Sequence, residues 1–208
     1  MSNAVLAKLR AFVTGTPVEE CELCAETISV EHEHLLEPDA RRVFCACPTC
    51  AALFVQEQQR QGARYLRVER RAARLHQVDI DDDTWSELGV PVGLAFFTTR
   101  SRTGEVVATF PGRAGIIESY VPLKTWGALE HRFPCILGVL PDVEALLVRR
   151  TLRHQDYFQV SIDHCYELSG LMRASEAPLS SPELSVVQKF FAKLDEQAGQ
   201  RRHSRRPV

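Results

Sequence analysis

The sequence lacks any long apolar run and any strong excess of one charge. Of its 208 residues, 45% are hydrophobic and 25% are charged, and the formal net charge is −2. No uninterrupted apolar stretch approaches the roughly 20 residues that a membrane-spanning helix needs. The near-neutral charge also excludes a global attraction to nucleic acid or to an anionic membrane. We therefore expect a globular protein with no membrane span.

An export signal is also missing from the first residues. Lys8 and Arg10 interrupt the apolar positions of this segment, and neither an extended apolar region nor a convincing cleavage site is present. On these grounds we expect a cytoplasmic protein.

The chain has few patterns of catalytic residues. Gly112-Arg-Ala-Gly115 fits neither common phosphate-binding pattern and is more simply a turn. His164 precedes Cys165, but neighbours on a helix point in different directions, so His164 is not expected to activate that thiol. The sequence favours a protein that is not an enzyme, without deciding the question.

Cysteine, in contrast, is abundant and clustered. Five of the seven cysteines lie between Cys21 and Cys50, and an odd number grouped in this way favours metal binding over disulfides. The remaining two, Cys135 and Cys165, are most simply buried small hydrophobic residues.

Two Cys-x-x-Cys motifs carry the clearest chemistry. Each can turn two thiolates toward one point, and together they offer the four soft, tetrahedral ligands that zinc or a single iron ion prefers. We predict that one metal ion is bound by Cys21, Cys24, Cys47 and Cys50. Zinc is favoured because the chain lacks the aromatic cluster typical of rubredoxin-like iron domains. Mononuclear iron is the alternative.

The segment around these motifs, residues 17–62, predicts a small treble-clef or zinc-ribbon-like metal module. β-forming residues flank a turn at Glu37 to Asp39, so we expect a hairpin between the two motifs. No helix breaker occurs between Cys50 and Gly62, so we expect a helix that starts at Cys50 or just before it. The partial positive charge of a helix N-terminus would favour thiolates there.

Two further groups of possible ligands lie inside this module. Cys45 would share a face with Cys47 on an extended segment, as a spare thiol or as a replacement ligand. The run Glu31-His32-Glu33-His34 would place both histidines on one side of a strand, where a second metal or a general base can be imagined. Two histidines without a third ligand are a weak signal, so we interpret this run as a solvated strand face.

Arginines are concentrated after the module, and more occur at the C-terminus. A basic cluster beside a zinc module can contact phosphates. The overall charge is not positive and no recognition-helix pattern is present, so we favour solvated faces or a protein-docking surface over nucleic acid. The arginines that follow the module are Arg60, Arg64, Arg67, Arg70, Arg71 and Arg74.

The rest of the chain predicts a mixed, mainly antiparallel α+β domain over residues 63–198. We also expect an N-terminal helix in residues 1–16, before the metal module, and a disordered basic tail at residues 199–208. Expected strands are Val92–Thr99, Glu105–Phe110, Ile116–Val121 and Tyr157–Ile162. Expected helices include Leu123–His131, Asp142–Arg149, Asp163–Met172 and a last helix opened by Ser181-Pro182-Glu183.

An ordered set of motifs from about residue 20 to 173 resembles an uncharacterised bacterial family whose genes accompany high-affinity uptake nickel–iron hydrogenases. The motifs are Cys21-x-x-Cys24, His34-Leu-Leu, Cys45-x-Cys47-x-x-Cys50, Val92-Gly-Leu-Ala-Phe-Phe, Phe110-Pro-x-x-Ala114-Gly115, Pro141-Asp-Val-Glu-Ala-Leu-Leu-Val148 and Asp163-x-Cys165-Tyr166. The resemblance implies a non-catalytic accessory protein that assists hydrogenase assembly or function, with hydrogenase subunits or maturation factors as partners. Two alternatives stay open: a rubredoxin-like electron-transfer protein and a zinc-finger regulator that binds nucleic acid.

Overall fold

The computed structural model describes residues 19–58, 64–112, 115–152, 154–173 and 185–204. They form an α+β fold with antiparallel strand pairs in two separate sheets, which confirms the predicted class. Residues up to Arg67 belong to one compact unit and residues from Val68 to a second. The helix predicted in residues 1–16 lies outside the described residues. None of the described helices is both long and apolar enough to cross a membrane.

The first unit contains the hairpin expected between the cysteine pairs. Strands β1 (Glu33–Glu37) and β2 (Arg42–Ala46) pair antiparallel, and β3 (Leu66–Val68) lies on the other side of β1. Helix α1 (Pro48–Gln58) begins directly after Cys47, close to its predicted start. This order places the second cysteine pair at the end of a strand and the beginning of a helix.

The second unit is built on a six-stranded sheet of order β4-β9-β8-β5-β6-β7. All of its neighbouring strands are antiparallel. The predictions for β5, β6, β7 and β9 are confirmed to within two residues at each end. The strands are β4 (Ala72–Arg74), β5 (Leu94–Thr99), β6 (Val106–Gly112), β7 (Gly115–Tyr120), β8 (Glu144–Arg150) and β9 (Gln155–Ser161).

The helix predicted over Asp142–Arg149 is wrong, because β8 occupies these positions. Every residue of β8 is buried, and the strand lies between β5 and β9. A central strand that is covered on both faces has a continuous apolar run instead of an alternating pattern. Such a run, here Ala145–Val148, does not distinguish a buried strand from a buried helix.

Helices cover both faces of the sheet. On one face, Phe97 contacts Trp85 of α2 (Asp82–Glu87) and Trp126 of α3 (Leu123–Arg132). On the other, Phe158 contacts Phe191 of α5, which packs beside α4. The helices are α2 (Asp82–Glu87), α3 (Leu123–Arg132), α4 (Ile162–Arg173) and α5 (Ser185–Ser204), with a short 3₁₀ helix at Pro134–Gly138.

The last helix differs from its prediction at the C-terminal end. The expected opening at Ser181-Pro182-Glu183 lies outside the described residues, and α5 is described from Ser185. It continues past Gly199, so the basic tail predicted to be disordered from residue 199 is helical as far as Ser204. A single glycine lowers helix propensity by only about 1 kcal/mol, which neighbouring helix-forming residues offset.

Candidate metal centre

The first cysteine pair lies in a tight turn that its own backbone holds together. The Ala25 amide donates to the Cys21 carbonyl at 2.7 Å, and the Cys21 amide donates to the Glu26 carbonyl at 2.7 Å. Ala25 adopts a positive φ of 61°, which reverses the chain after Cys24. Both thiols are therefore presented from one local loop.

The second pair uses the start of α1. The Ala51 amide donates to the Cys47 carbonyl at 2.9 Å, and the Cys50 amide donates to the Cys47 sulfur at 3.4 Å. The second pair is therefore positioned by the first turn of α1.

These two local structures bring the predicted ligands together as the four-cysteine cluster (Cys21, Cys24, Cys47 and Cys50). Its sulfur atoms all lie within 4.8 Å of one another, and those of Cys24 and Cys47 are 3.7 Å apart. A tetrahedral zinc ion with Zn–S bonds of about 2.3 Å separates its sulfurs by about 3.8 Å. The cluster has the right donors and the right size for one such ion, and metal binding by these residues stays a prediction.

The thiols of the cluster have different proton affinities. Burial acts to raise the pKa of Cys21, but hydrogen bonds from the Cys47, Leu23 and Cys24 backbones outweigh it and lower that pKa to about 6. Burial raises the pKa of Cys50 well above its ordinary value, and hydrogen bonds with neighbouring thiols add to the effect. Without a metal, Cys21 is therefore mostly a thiolate at neutral pH.

The exposed Cys24 shows the opposite balance to Cys21. The backbone of Glu26 acts to lower the pKa of Cys24, but hydrogen bonds with the Cys21 and Cys47 thiols, together with some desolvation, outweigh it, and the pKa is raised. Cys24 must therefore release a proton when it binds a metal.

Glu22, which sequence reasoning missed, links the first turn to strand β2. Its backbone amide donates to the Cys45 carbonyl at 2.9 Å, and its carboxylate accepts from the Cys45 amide at 2.8 Å and from Arg42 at 2.7 Å. Burial alone would raise the pKa of Glu22, but these two donors lower it. The ionised side chain therefore holds the two halves of the metal centre in register.

Cys45 belongs with the two histidines and not with the four-cysteine cluster. It lies opposite His34 in the hairpin, and the ligand atoms of His32, His34 and Cys45 all lie within 4.8 Å of one another. The side chain of His32 is only 7% exposed, so the interpretation of this run as a solvated strand face is wrong for that residue. The three residues are brought together by the hairpin register, which pairs residue 34 with residue 45.

The described arginines of the basic stretch each contact a carboxylate of their own unit. Each of these guanidinium groups therefore has a carboxylate beside it, unlike the unpaired arginines of a surface that is free to bind phosphate. Arg60 lies outside the described residues. The pairs are Arg64–Glu37, Arg67–Glu33, Arg70–Glu167, Arg71–Glu144, and Arg74 with both Asp156 and Asp195.

A model of one protein family matches residues 20–198, well over half of the chain. The chain belongs to DUF5947, a family of unknown function. The resemblance to an uncharacterised family is thereby confirmed, whereas nothing in the match links DUF5947 to hydrogenases. No curated protein and no solved structure matches this DUF5947 chain. The match includes both the four-cysteine cluster and the six-stranded sheet, so both lie within the family's boundaries.

Proposed function

We propose that this DUF5947 protein is a non-catalytic accessory protein whose four-cysteine cluster binds one zinc ion. The observation that carries the proposal is the convergence of four sulfurs at the spacing of a tetrahedral site. Four cysteine ligands fill the coordination sphere of zinc and leave no position for a substrate, which is typical of structural zinc.

The zinc ion would join the first turn, the hairpin and α1 into a treble-clef or zinc-ribbon-like module. The apolar core around the cysteines is small, and its largest members are Phe44, Phe54 and Tyr65. Cores of this size usually need a metal or disulfides in addition, and all seven cysteines are free thiols. We therefore expect the module to lose its fold when the metal is removed.

A buried polar pair in the second unit supports the non-catalytic part of the proposal. Ser161 Oγ and His164 Nδ1 are 2.8 Å apart, the spacing of a nucleophile and its base. Both side chains are buried, and His164 Nε2 contacts Gln197 at 3.1 Å. Burial also raises the pKa of the neighbouring Cys165 thiol well above its ordinary value. Among the described residues these groups are buried, and Ser161 and His164 hydrogen-bond to one another or to neighbouring side chains, as structural polar groups do.

For the partner, we propose subunits or maturation factors of a nickel–iron hydrogenase, reached through protein–protein contacts in the cytoplasm. The resemblance noted from the sequence motifs supports this choice. The carboxylate pairing of the described arginines supports a protein partner over nucleic acid, because phosphate binding would have to break those ion pairs.

Metal analysis and an absorption spectrum test the first half of the proposal. The purified protein should be colourless and hold zinc in the four-cysteine cluster, whereas a red protein with visible charge-transfer bands would indicate iron and electron transfer.

A binding experiment tests the proposed partner. Tagged protein should retain purified hydrogenase subunits or maturation factors. Cys47→Ser should lose that retention, and the matched Cys135→Ser variant should keep it. Failure of the unmodified protein to retain any of them would overturn the hydrogenase assignment.

A further inference from the structure

Three side chains of the hairpin region converge outside the four-cysteine cluster. His34 and Cys45 are directly opposite each other on β1 and β2, and His32 precedes β1. His32 Nε2 lies 3.0 Å from His34 Nε2, and the two rings meet edge to face with centroids 4.8 Å apart. Two imidazole nitrogens and one thiol thus meet at one point.

His32 is oriented as metal-binding histidines usually are. Its Nδ1 lies 2.9 Å from the Ser29 carbonyl and 3.1 Å from the Glu19 carboxylate, and both of these groups only accept hydrogen bonds. Nδ1 therefore carries the proton, and in the neutral ring Nε2 directs its lone pair toward His34. A ring nitrogen held by a carbonyl or carboxylate is the usual outer support of a metal-binding histidine.

The distances suit a metal ion with little rearrangement. Metal–nitrogen bonds of about 2.0–2.1 Å in a tetrahedral site place two nitrogens about 3.3 Å apart. The Nε2 atoms of His32 and His34 lie 3.0 Å apart, which requires an N–H···N hydrogen bond between them in the metal-free chain. A metal ion at this position would replace the shared proton and widen the gap by a few tenths of an ångström.

Negative charge beside the three ligands also favours a cation. The Glu19 carboxylate contacts the back of the His32 ring, and the Glu22 carboxylate accepts from the Cys45 amide. The Glu22 amide also donates to the Cys45 carbonyl, which keeps the Glu22 carboxylate beside this strand.

We propose that His32, His34 and Cys45 form a second metal site, which binds a divalent transition-metal ion of the zinc class. Imidazole and thiolate donors select such ions over magnesium or calcium. Three protein ligands leave the fourth position open for water or for a ligand from another molecule, unlike the closed four-cysteine cluster. The first unit thus holds one closed site for structure and one open site at which a metal ion exchanges ligands.

Titration with Zn²⁺, and separately with Co²⁺ as a spectroscopic probe, tests this assignment. Native mass spectrometry of the full chain should count two ions at saturation. Cys45→Ser and His34→Asn should each retain the first ion and bind the second at least about a hundredfold more weakly. Co²⁺ at the second site should give the absorption of a tetrahedral site with one thiolate, and this signal should disappear in Cys45→Ser.

Matched controls separate loss of the site from loss of the fold. His76→Asn and Cys135→Ser change the same residue types in the second unit and should still bind two ions. Circular dichroism of Cys45→Ser and His34→Asn should match that of the unmodified protein. Saturation at one ion, or a second ion that survives both variants, would overturn the second site. A chain that binds metal only through the histidines would instead overturn the proposed role of the four-cysteine cluster.

Discussion

The sulfur atoms of Cys24 and Cys47 lie 3.7 Å apart although 23 positions separate these residues in the chain. The turn closed at Ala25 presents one sulfur, and the start of α1 presents the other. Glu22 then fastens the turn to β2. These backbone and side-chain hydrogen bonds direct the four sulfurs of the cluster toward one point.

Glu22→Ala should weaken metal binding although Glu22 is not a ligand. The variant removes the acceptor for the Cys45 amide and the partner of Arg42, which loosens the first turn. Loss of such outer support typically lowers metal affinity by about 10- to 100-fold. Competition with a chromophoric chelator measures the change. Glu26→Ala, at an exposed position in the same turn, should bind zinc like the unmodified protein, and equal affinities of the two variants would contradict the role of Glu22.

Metal binding should release protons, so zinc affinity should increase with pH. Cys24 and Cys50 have raised pKa values and are protonated at pH 7, and both must become thiolates on binding. Cys21, with a pKa of about 6, is mostly a thiolate at pH 7 and competes with protons chiefly below pH 6. Calorimetry in buffers of different ionisation enthalpy should show at least about two protons released per zinc ion at pH 7. Release of less than one would contradict these assignments.

Asp156→Asn should strongly destabilise the second unit. Asp156 is buried and accepts from Arg149 at 2.7 Å, with Arg74 on its other oxygen. Removing one member of a buried ion pair leaves an uncompensated charge, which costs about 3–5 kcal/mol in the free energy of unfolding. Urea denaturation measures this difference.

The matched control for that variant is Asp195→Asn. Asp195 pairs with the same Arg74, but its side chain is 43% exposed. Exposed pairs contribute about 1 kcal/mol or less. If both variants lost a similar amount of unfolding free energy, burial would not determine how strongly these two aspartates stabilise the unit.

Nucleic acid should bind weakly, because the described arginines are already paired. We expect labelled duplex DNA and single-stranded RNA to show no more than the non-specific affinity of about 10⁻⁴–10⁻⁶ M. Glu33→Gln together with Glu37→Gln removes the partners of Arg67 and Arg64 and should increase that affinity. Tight, steeply salt-dependent binding by the unmodified protein would favour a nucleic-acid regulator instead.

Local patterns were sufficient to predict the four-cysteine cluster. Each Cys-x-x-Cys motif closes within a few residues, and the turn at Glu37 to Asp39 together with the helix after Cys47 follows from short-range signals. Runs of β-branched and aromatic residues also located β5, β6, β7 and β9.

Features that depend on contacts between residues far apart in the sequence could not be predicted from local patterns. Strand β8 lies between β5 and β9 and is buried along its whole length. Its apolar residues therefore form a continuous run, without the alternation of apolar and polar residues that marks a half-exposed strand. The site of His32, His34 and Cys45 depends on the hairpin register, which sequence spacing alone does not determine. The contact of Glu22 with Cys45 crosses from a turn to a strand and has no sequence signature.

We infer above all that the four-cysteine cluster holds one metal ion that stabilises the first unit. The most direct measurement counts tightly bound ions by native mass spectrometry after dialysis against a weak chelator, in the unmodified protein, Cys47→Ser and Cys135→Ser. The chelator should empty the open site of His32, His34 and Cys45. We then expect one zinc ion per chain in the unmodified protein and in Cys135→Ser, and none in Cys47→Ser, with a lower unfolding temperature for Cys47→Ser alone. A metal-free native protein, or a Cys47→Ser variant with unchanged zinc content and unfolding temperature, would contradict the claim.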